Sequence, residues 1–241
     1  IGMILRRFPE SVPVAEVLAA GGGCMKKGLL IFDLDGTLAD TIESIRAAVN
    51  MTLAAHGMPQ RSYEEIRLAI GNGARELIRR SVPGAVAQDP ALTEEIFQEY
   101  DRNYGLTYDR VEHCYDGISE SLATLHERGY TLAVLSNKQD LYVRRLVEKL
   151  FPAGLIAYAA GQTDLPRKPD PTVPKMIAAK LGFACSQAAF IGDSDVDVRT
   201  AQNAGMLSVG CEWGYRGRQV LEEAGAQKIL RTPWELTGEF L

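Results

Sequence analysis

The chain has 241 residues, 46% of them hydrophobic and 24% charged, with a formal net charge of -5. This is the mix of an ordinary globular protein, sized for one large domain or a core with a small accessory domain. The acidic balance argues against a nucleic-acid partner, whose phosphates require an excess of Lys and Arg.

No stretch approaches the roughly 18–20 apolar residues of a membrane span. Cys24, Cys114, Cys185 and Cys211 lie far apart with no C-x-x-C pair, which fits reduced thiols in a cytoplasm better than a disulfide framework or a zinc site. In residues 1–24, Arg6-Arg7 ahead of Val12 to Ala20 imitates a signal peptide, but Glu10, Pro13 and Glu16 interrupt it. We read this segment as an N-terminal extension and expect the natural start at Met25.

From Leu29 the pattern becomes regular. Leu29 to Phe32 reads as a buried strand, and so do Thr131 to Leu135, Leu155 to Ala159, Ala188 to Ile191 and Leu207 to Val209. Each is apolar throughout, as expected of a parallel sheet covered on both faces. Helical stripes lie between most of them: Ile118, Leu122 and Leu125; Val143, Leu146, Val147 and Leu150; Met176, Ile177 and Leu181. The expected fold class is α/β, a doubly wound and mostly parallel sheet. From Thr41 to Tyr115 no convincing strand occurs. Ile42 to Leu53, Glu64 to Ile70, Ala74 to Ser81 and Leu92 to Tyr104 look helical. Residues 41–115 are therefore expected to form an inserted helical cap, with residues 25–40 and 116–241 as the core.

In such a sheet, ligands gather at the carboxyl ends of the strands. The first strand runs into Asp33, Asp35, Gly36 and Thr37, and the second into Ser136, Asn137 and Lys138. Lys168-Pro169 follows the third, and Gly192-Asp193 with Asp197 follows the fourth. The fifth, near Cys211, offers nothing comparable. Taken singly, Asp35-Gly36 is a turn signal, Ser136 a helix cap, Lys168-Pro169 a solvated loop, and Asp193 and Asp197 helix N-terminal acids. Together they bring acids, a hydroxyl and an ammonium to one rim. A carboxylate nucleophile and a phosphate ester repel each other, so a cation must lie between them. Clustered Asp oxygens without His or Cys suit hard Mg²⁺, and a Lys neutralises further charge on the transferring group.

This ordered set resembles the haloacid dehalogenase superfamily, whose phosphatases carry D-x-D-G-T, a Ser or Thr after the second strand, a Lys before the fourth and a G-D-x-x-x-D ending. The resemblance implies that Asp33 is nucleophile and metal ligand, and that Asp35 is the acid/base and binds the metal through its backbone carbonyl. It implies that Ser136 and Lys168 hold the phosphoryl oxygens with Asn137 nearby, that Asp193 ligates Mg²⁺, and that Asp197 supports it or binds directly. Asp195 falls at a variable position and reads as a surface acid. The inserted helices resemble a C1-type cap hinged near Asp40-Thr41 and Tyr108 to Asp116.

Within the superfamily, the resemblance is to the phosphoglycolate phosphatases. It rests on Asp33 to Thr41, Ala48-Val49-Asn50 with Ala55 to Pro59, Ile70 to Arg75, and Lys168-Pro169. Ser136 departs from the usual Thr, and Asp116-Gly117 from the usual Pro-Gly. The expected substrate is a small phosphate ester, best matched by 2-phosphoglycolate, and the expected protein is a monomer or homodimer. Sugar phosphates, nucleoside monophosphates, pyrophosphate, a β-phosphoglucomutase-like mutase and a catalytically inactive binding module stay open. Free N–H groups at Gly71-Asn72-Gly73, with Asn72 and Arg75, offer a dock for a substrate carboxylate; a plain turn with a solvated Arg is the alternative. Tyr100, Tyr104 and Tyr108, four residues apart, read as a helix face rather than a ligand box, and Trp213 and Trp234 as packing groups.

Overall fold

The computed structural model describes residues 27–111 and 113–240. The expectations for residues 1–24 and Met25 lie outside them. Strand β1 (Gly28–Phe32) is followed by five helices: α1 (Ile42–Ala55), α2 (Tyr63–Ala69), α3 (Ala74–Ser81), α4 (Gly84–Ala87) and α5 (Pro90–Tyr104). The chain continues through α6 (Ile118–Glu127), β2 (Tyr130–Gln139), α7 (Asp140–Leu150), β3 (Tyr158–Gln162), α8 (Thr172–Leu181), β4 (Ala188–Gly192), α9 (Asp195–Ala204), β5 (Leu207–Cys211), α10 (Gly217–Glu223), β6 (Lys228–Leu230) and α11 (Leu236–Glu239).

The six strands are all parallel, in the order β3-β2-β1-β4-β5-β6. Strand order therefore reverses between β1 and β4, which places the switch point beside Asp33 and Asp193. Both faces of β1 are buried because its side chains alternate. Leu30 and Phe32 pack with α6 and α7 through Leu122, Leu125, Val143 and Leu146. Leu29 and Ile31 pack with α8 and α9 through Ile177, Ala178, Ala201 and Ala204. Successive residues of a strand point to opposite faces, so a run buried on both sides must be apolar at every position.

Helices α1 to α5 share a separate apolar cluster that includes Ile42, Ile45, Leu53, Ile66, Ile78 and Ile96. Tyr142 and Tyr215, from outside these helices, join it. Ser62 and Glu65 start α2 with a reciprocal capping box, and Asp89 starts α5 by accepting from Ala91 and Leu92 N–H. Such side-chain caps satisfy N–H groups that the first helical turn leaves without partners.

Two expectations shift. The third strand begins at Tyr158, not Leu155, because Leu155 closes a turn on Pro152 and the ladder to β2 starts only at Tyr158. The sixth strand is not visible in the sequence pattern: it has three residues, of which only Leu230 is buried. Among the described residues no helix is long and apolar enough to cross a membrane.

Candidate active site

Strand β1 delivers Asp33 to the rim while still in the sheet, its N–H donating to the Ile191 carbonyl at 2.8 Å. The chain then turns sharply, with the N–H groups of Leu38 and Ala39 returning to the Leu34 carbonyl. Gly36 has φ +83°, and a Cβ there would lie 2.6 Å from Asp193 Oδ2. Glycine both permits this left-handed turn and lets the two acidic loops approach.

Lys168 stands between two carboxylates. Its Nζ is 2.9 Å from Asp33 Oδ1 and 2.7 Å from Asp197 Oδ1. The other oxygen of Asp197 accepts from Ser194 N at 3.1 Å and Ser194 Oγ at 2.6 Å. Both Asp197 oxygens are thus engaged in orienting Lys168 and the start of α9. Gly192 makes room for this, since a Cβ there would meet Asp197 Cγ at 2.3 Å. Asp193 Oδ2 accepts from Tyr215 N–H at 2.7 Å, and Thr37 Oγ1 donates to Asp193 Oδ1 at 3.4 Å.

One oxygen from each of Asp33, Asp193 and Asp197 falls within a 4.8 Å cluster, and all three residues are buried. Burial pushes the Asp33 carboxyl up to about 7, with Lys168 opposing and Asp197 and Asp35 adding to the rise. Burial, then the charges of Asp197 and Asp33, raises Asp193 well above the carboxylate range. Burial works against the charge on Lys168, but Asp197 and Asp33 outweigh it and its pKa rises. Ionised together, three buried carboxylates would outnumber the one ammonium, which adds to the hold of Asp33 and Asp193 on their protons. An all-oxygen donor set of this kind fits a hard divalent cation.

Asp35 lies on the same rim, where Lys138 Nζ approaches its Oδ1 at 3.0 Å and Thr41 Oγ1 donates to the same oxygen at 2.5 Å. Ser136 is buried within β2, which runs on past the expected end at Leu135, and its Oγ accepts from Lys138 N–H at 3.3 Å. Asn137 plays a different part from the one expected. Its Oδ1 accepts from Lys168 N–H at 2.9 Å, and its Nδ2 donates to the carbonyls of Lys168 at 3.1 Å and Gly71 at 3.0 Å. The amide side chain is used in clamping the Lys168 backbone and the α2–α3 turn, so it offers no free donor to a phosphate.

Asp33, Asp35, Ser136, Asn137 and Asp193 line one cavity that is partly open to solvent. Its far wall comes from the helices and includes Ile45, Ile70, Leu77, Tyr100 and Tyr104. Neither Asn72 nor Arg75 reaches it, although their neighbours Gly71, Gly73 and Ala74 do. Arg75 instead grips Glu94 with Nε and Nη2, both at 2.8 Å, and lies 4.1 Å from the Phe97 ring centroid. Position 75 is the second residue of α3, and its side chain turns to α5 while Ala74 and Leu77 of the same turn face the cavity. The tyrosines read as a packing face do stack, Tyr100 on Tyr104 at 5.8 Å, yet both also line the cavity.

The end of β5, which held no expectation, carries a set of contacts across the site. Trp213 Nε1 donates to the Thr37 carbonyl at 3.0 Å. Tyr215 donates its hydroxyl to Asp40 at 2.9 Å and accepts from Thr41 N–H at 2.9 Å. Arg216 donates to the carbonyls of Arg67 and Leu68 at 3.2 Å and of Ile70 at 2.6 Å, at the carboxyl end of α2. Arg67 returns a bond to the Tyr215 carbonyl. An aromatic-Gly-aromatic-Arg run after a strand end was the signal for this loop. The Lys138 ammonium beside Asp35 is the other group that went unassigned.

The family model for haloacid dehalogenase-like hydrolases matches residues 30–211. The chain belongs to this family. The phosphoglycolate phosphatase of Pseudomonas fluorescens is 33% identical over 201 residues, which cover 81% of this chain and 74% of that protein. The phosphoglycolate phosphatase of Vibrio cholerae is 31% identical, covering 81% of this chain and 89% of the relative. Among solved structures, a protein from Lactobacillus delbrueckii subsp. bulgaricus superposes with a TM-score of 0.81 at 28% identity, covering 90% of this chain and 99% of that one. CbbY from Rhodobacter sphaeroides, in complex with phosphate, superposes with a TM-score of 0.72 at 26% identity, covering 88% and 96%. This haloacid dehalogenase-like hydrolase is a phosphoric monoester hydrolase of the phosphoglycolate phosphatase-like kind.

Proposed function

We propose that the enzyme is a Mg²⁺-dependent phosphatase that works through an aspartyl phosphate on Asp33, with 2-phosphoglycolate as its substrate. The observation that carries this reading is Asp33 held by Lys168 beside Asp193 on the switch-point rim, with Asp35 lining the same cavity. Asp33, Asp193 and the Asp35 backbone carbonyl would hold the Mg²⁺, which when bound screens the phosphate charge from the nucleophile.

A carboxylate oxygen of Asp33 attacks phosphorus as the ester P–O bond breaks, and Asp35 gives its proton to the departing alcohol oxygen. Lys168 and the Ser136 hydroxyl take the phosphoryl oxygens, while Asp197 keeps the ammonium aimed. Asp35 then removes a proton from water as that water attacks phosphorus, and the bond to Asp33 is released. Residues 41–115 act as a cap that closes over residues 25–40 and 116–241 to exclude bulk water.

The test is a panel of phosphoglycolate, p-nitrophenyl phosphate, pyrophosphate, a nucleoside monophosphate and xylulose 1,5-bisphosphate. The last is included because a CbbY structure carries it at 25% identity and a TM-score of 0.68. Phosphoglycolate is expected to give the highest kcat/KM, chelation should abolish turnover, and added Mg²⁺ should restore it. Asp33→Asn should lose roughly 10⁴-fold or more. Turnover surviving in Asp33→Asn would end the nucleophile assignment, and a better ester would end the substrate assignment.

A further inference from the structure

Tyr104 ends α5 with 2% of its surface exposed. Among the described residues its hydroxyl is the buried side-chain atom that makes no hydrogen bond of normal geometry, with the Lys138 and Ser44 side chains as its weaker polar neighbours. The residue lines the catalytic cavity together with Asp35 and Lys138. The Lys138 ammonium is 4.6 Å from the Tyr104 ring centroid and 3.0 Å from Asp35 Oδ1. Buried hydroxyls are nearly always bonded, so one without a good bond in the wall of a cavity marks a place where a ligand or a water can supply it. A phenol near neutral pH donates a proton, and an ammonium has three to donate, of which Asp35 Oδ1 takes one. The two groups therefore converge on an acceptor.

We propose that the Tyr104 hydroxyl, with the Lys138 ammonium beside it, is the specificity-determining contact to a carboxylate on the leaving alcohol. This presupposes that the rim cleaves a phosphate ester with Asp35 as the acid. Asp35 must then reach the ester oxygen, and in phosphoglycolate the carboxylate carbon lies only two bonds from that oxygen. A group adjacent to Asp35 is thus within reach of the carboxylate, whereas Arg75, turned away to Glu94, is not. The neighbouring wall is Ile45, Ile70 and Leu77. Arg67 and Arg216, which also line the cavity, bond backbone carbonyls. A short carboxylate suits this wall better than a polyol, whose hydroxyls would lose their partners.

The test compares phosphoglycolate with ethyl phosphate, which has the same ester linkage and no carboxylate. In wild type, phosphoglycolate should be preferred. Tyr104→Phe keeps the ring and should cut that preference roughly 10- to 100-fold, the worth of a hydrogen bond to a charged group. In an Asp33→Asn background, calorimetric affinity for phosphoglycolate should fall by a similar factor when Tyr104→Phe is added. The thermal midpoint of Tyr104→Phe should stay level or rise, because a buried hydroxyl without a good bond is removed. A Tyr104→Phe enzyme with its preference and affinity intact would overturn the proposal and leave water as the partner of the hydroxyl. If wild type shows no preference for phosphoglycolate over ethyl phosphate, both this assignment and the substrate reading fall.

Discussion

At the carboxyl edge of the sheet each charged group is held by an ion pair or a hydrogen bond. Lys168 spans Asp33 and Asp197, Asp197 also takes two bonds from Ser194, and Asp193 takes the Tyr215 N–H. On the helical side of the same cavity, the wall is apolar and aromatic, and it contains a phenol hydroxyl without a good hydrogen bond. The rim's side chains are held in place without substrate, whereas the wall is left to be completed by one. Reaction chemistry needs groups fixed before the substrate arrives, while selectivity needs groups whose partners only the right substrate brings.

The largest effect is expected from breaking the rim. Lys168→Met leaves Asp33 and Asp197 facing each other with no cation, in a site where the Lys168 side chain is only 3% exposed. Removing one partner of a buried charged set costs about 3–5 kcal/mol, so unfolding by urea at pH 8 should show a loss of that order. pH sharpens the point in the metal-free wild type. The Asp33 carboxyl titrates at about 7 when folded against 3.8 for the ordinary group. The folded state therefore keeps a proton that the unfolded chain releases, and this stabilisation is full below 3.8 and lost as pH rises through 7. The metal-free melting temperature should fall across that window, and the rise produced by Mg²⁺ should be larger at pH 8 than at pH 5. A flat profile would mean that the acids are not strained by burial.

An intermediate effect is expected where the two regions meet. Arg216 reaches from the end of β5 to three carbonyls at the end of α2, where helix C-termini have orphan acceptors. Arg216→Ala should lower kcat/KM for phosphoglycolate roughly 10- to 100-fold, since charge-assisted bonds are lost. X-ray scattering should show a larger radius of gyration if these bonds hold the helices over the rim. Arg216→Lys should not restore either value, because one ammonium lacks the planar fork that spans several acceptors. Unchanged scattering would detach the loop from any closure.

The same division governs what the sequence revealed. That Asp33, Asp35, Ser136, Lys168, Asp193 and Asp197 gather at one rim could be read because each comes after an apolar run, and strand ends in a parallel sheet share one edge. The approximate helices of residues 41–115 could be found from their stripes. Neighbours on the helical wall could not, because they depend on how α3 turns against α5. Tyr104 fell on a visible face, yet spacing alone does not say that the face also borders a cavity. The loop from Trp213 to Arg216 carries an aromatic-Gly-aromatic-Arg run, but most of its side-chain bonds go to backbone groups, and these the run does not specify. Leu155 misled for a simpler reason: it is buried in a turn before the ladder begins.

The smallest effect separates the two candidate seats for the carboxylate. Arg75 is 64% exposed at its side chain, and its partner Glu94 41%. An ion pair so open to water contributes little, since solvent screens it and two long side chains must be ordered to form it. Its guanidinium also rests on Phe97, which keeps it on the outer surface of the helices. Arg75→Ala should therefore leave kcat/KM for phosphoglycolate within about twofold of wild type, with the preference over ethyl phosphate unchanged. Parallel assays of Arg75→Ala and Tyr104→Phe then make the contrast directly. If Arg75→Ala lost the preference and Tyr104→Phe kept it, the Gly71–Gly73 turn would have to swing its following helix toward the rim on binding. The carboxylate would then be read by the mobile edge of the wall instead of by the aromatic residue buried within it.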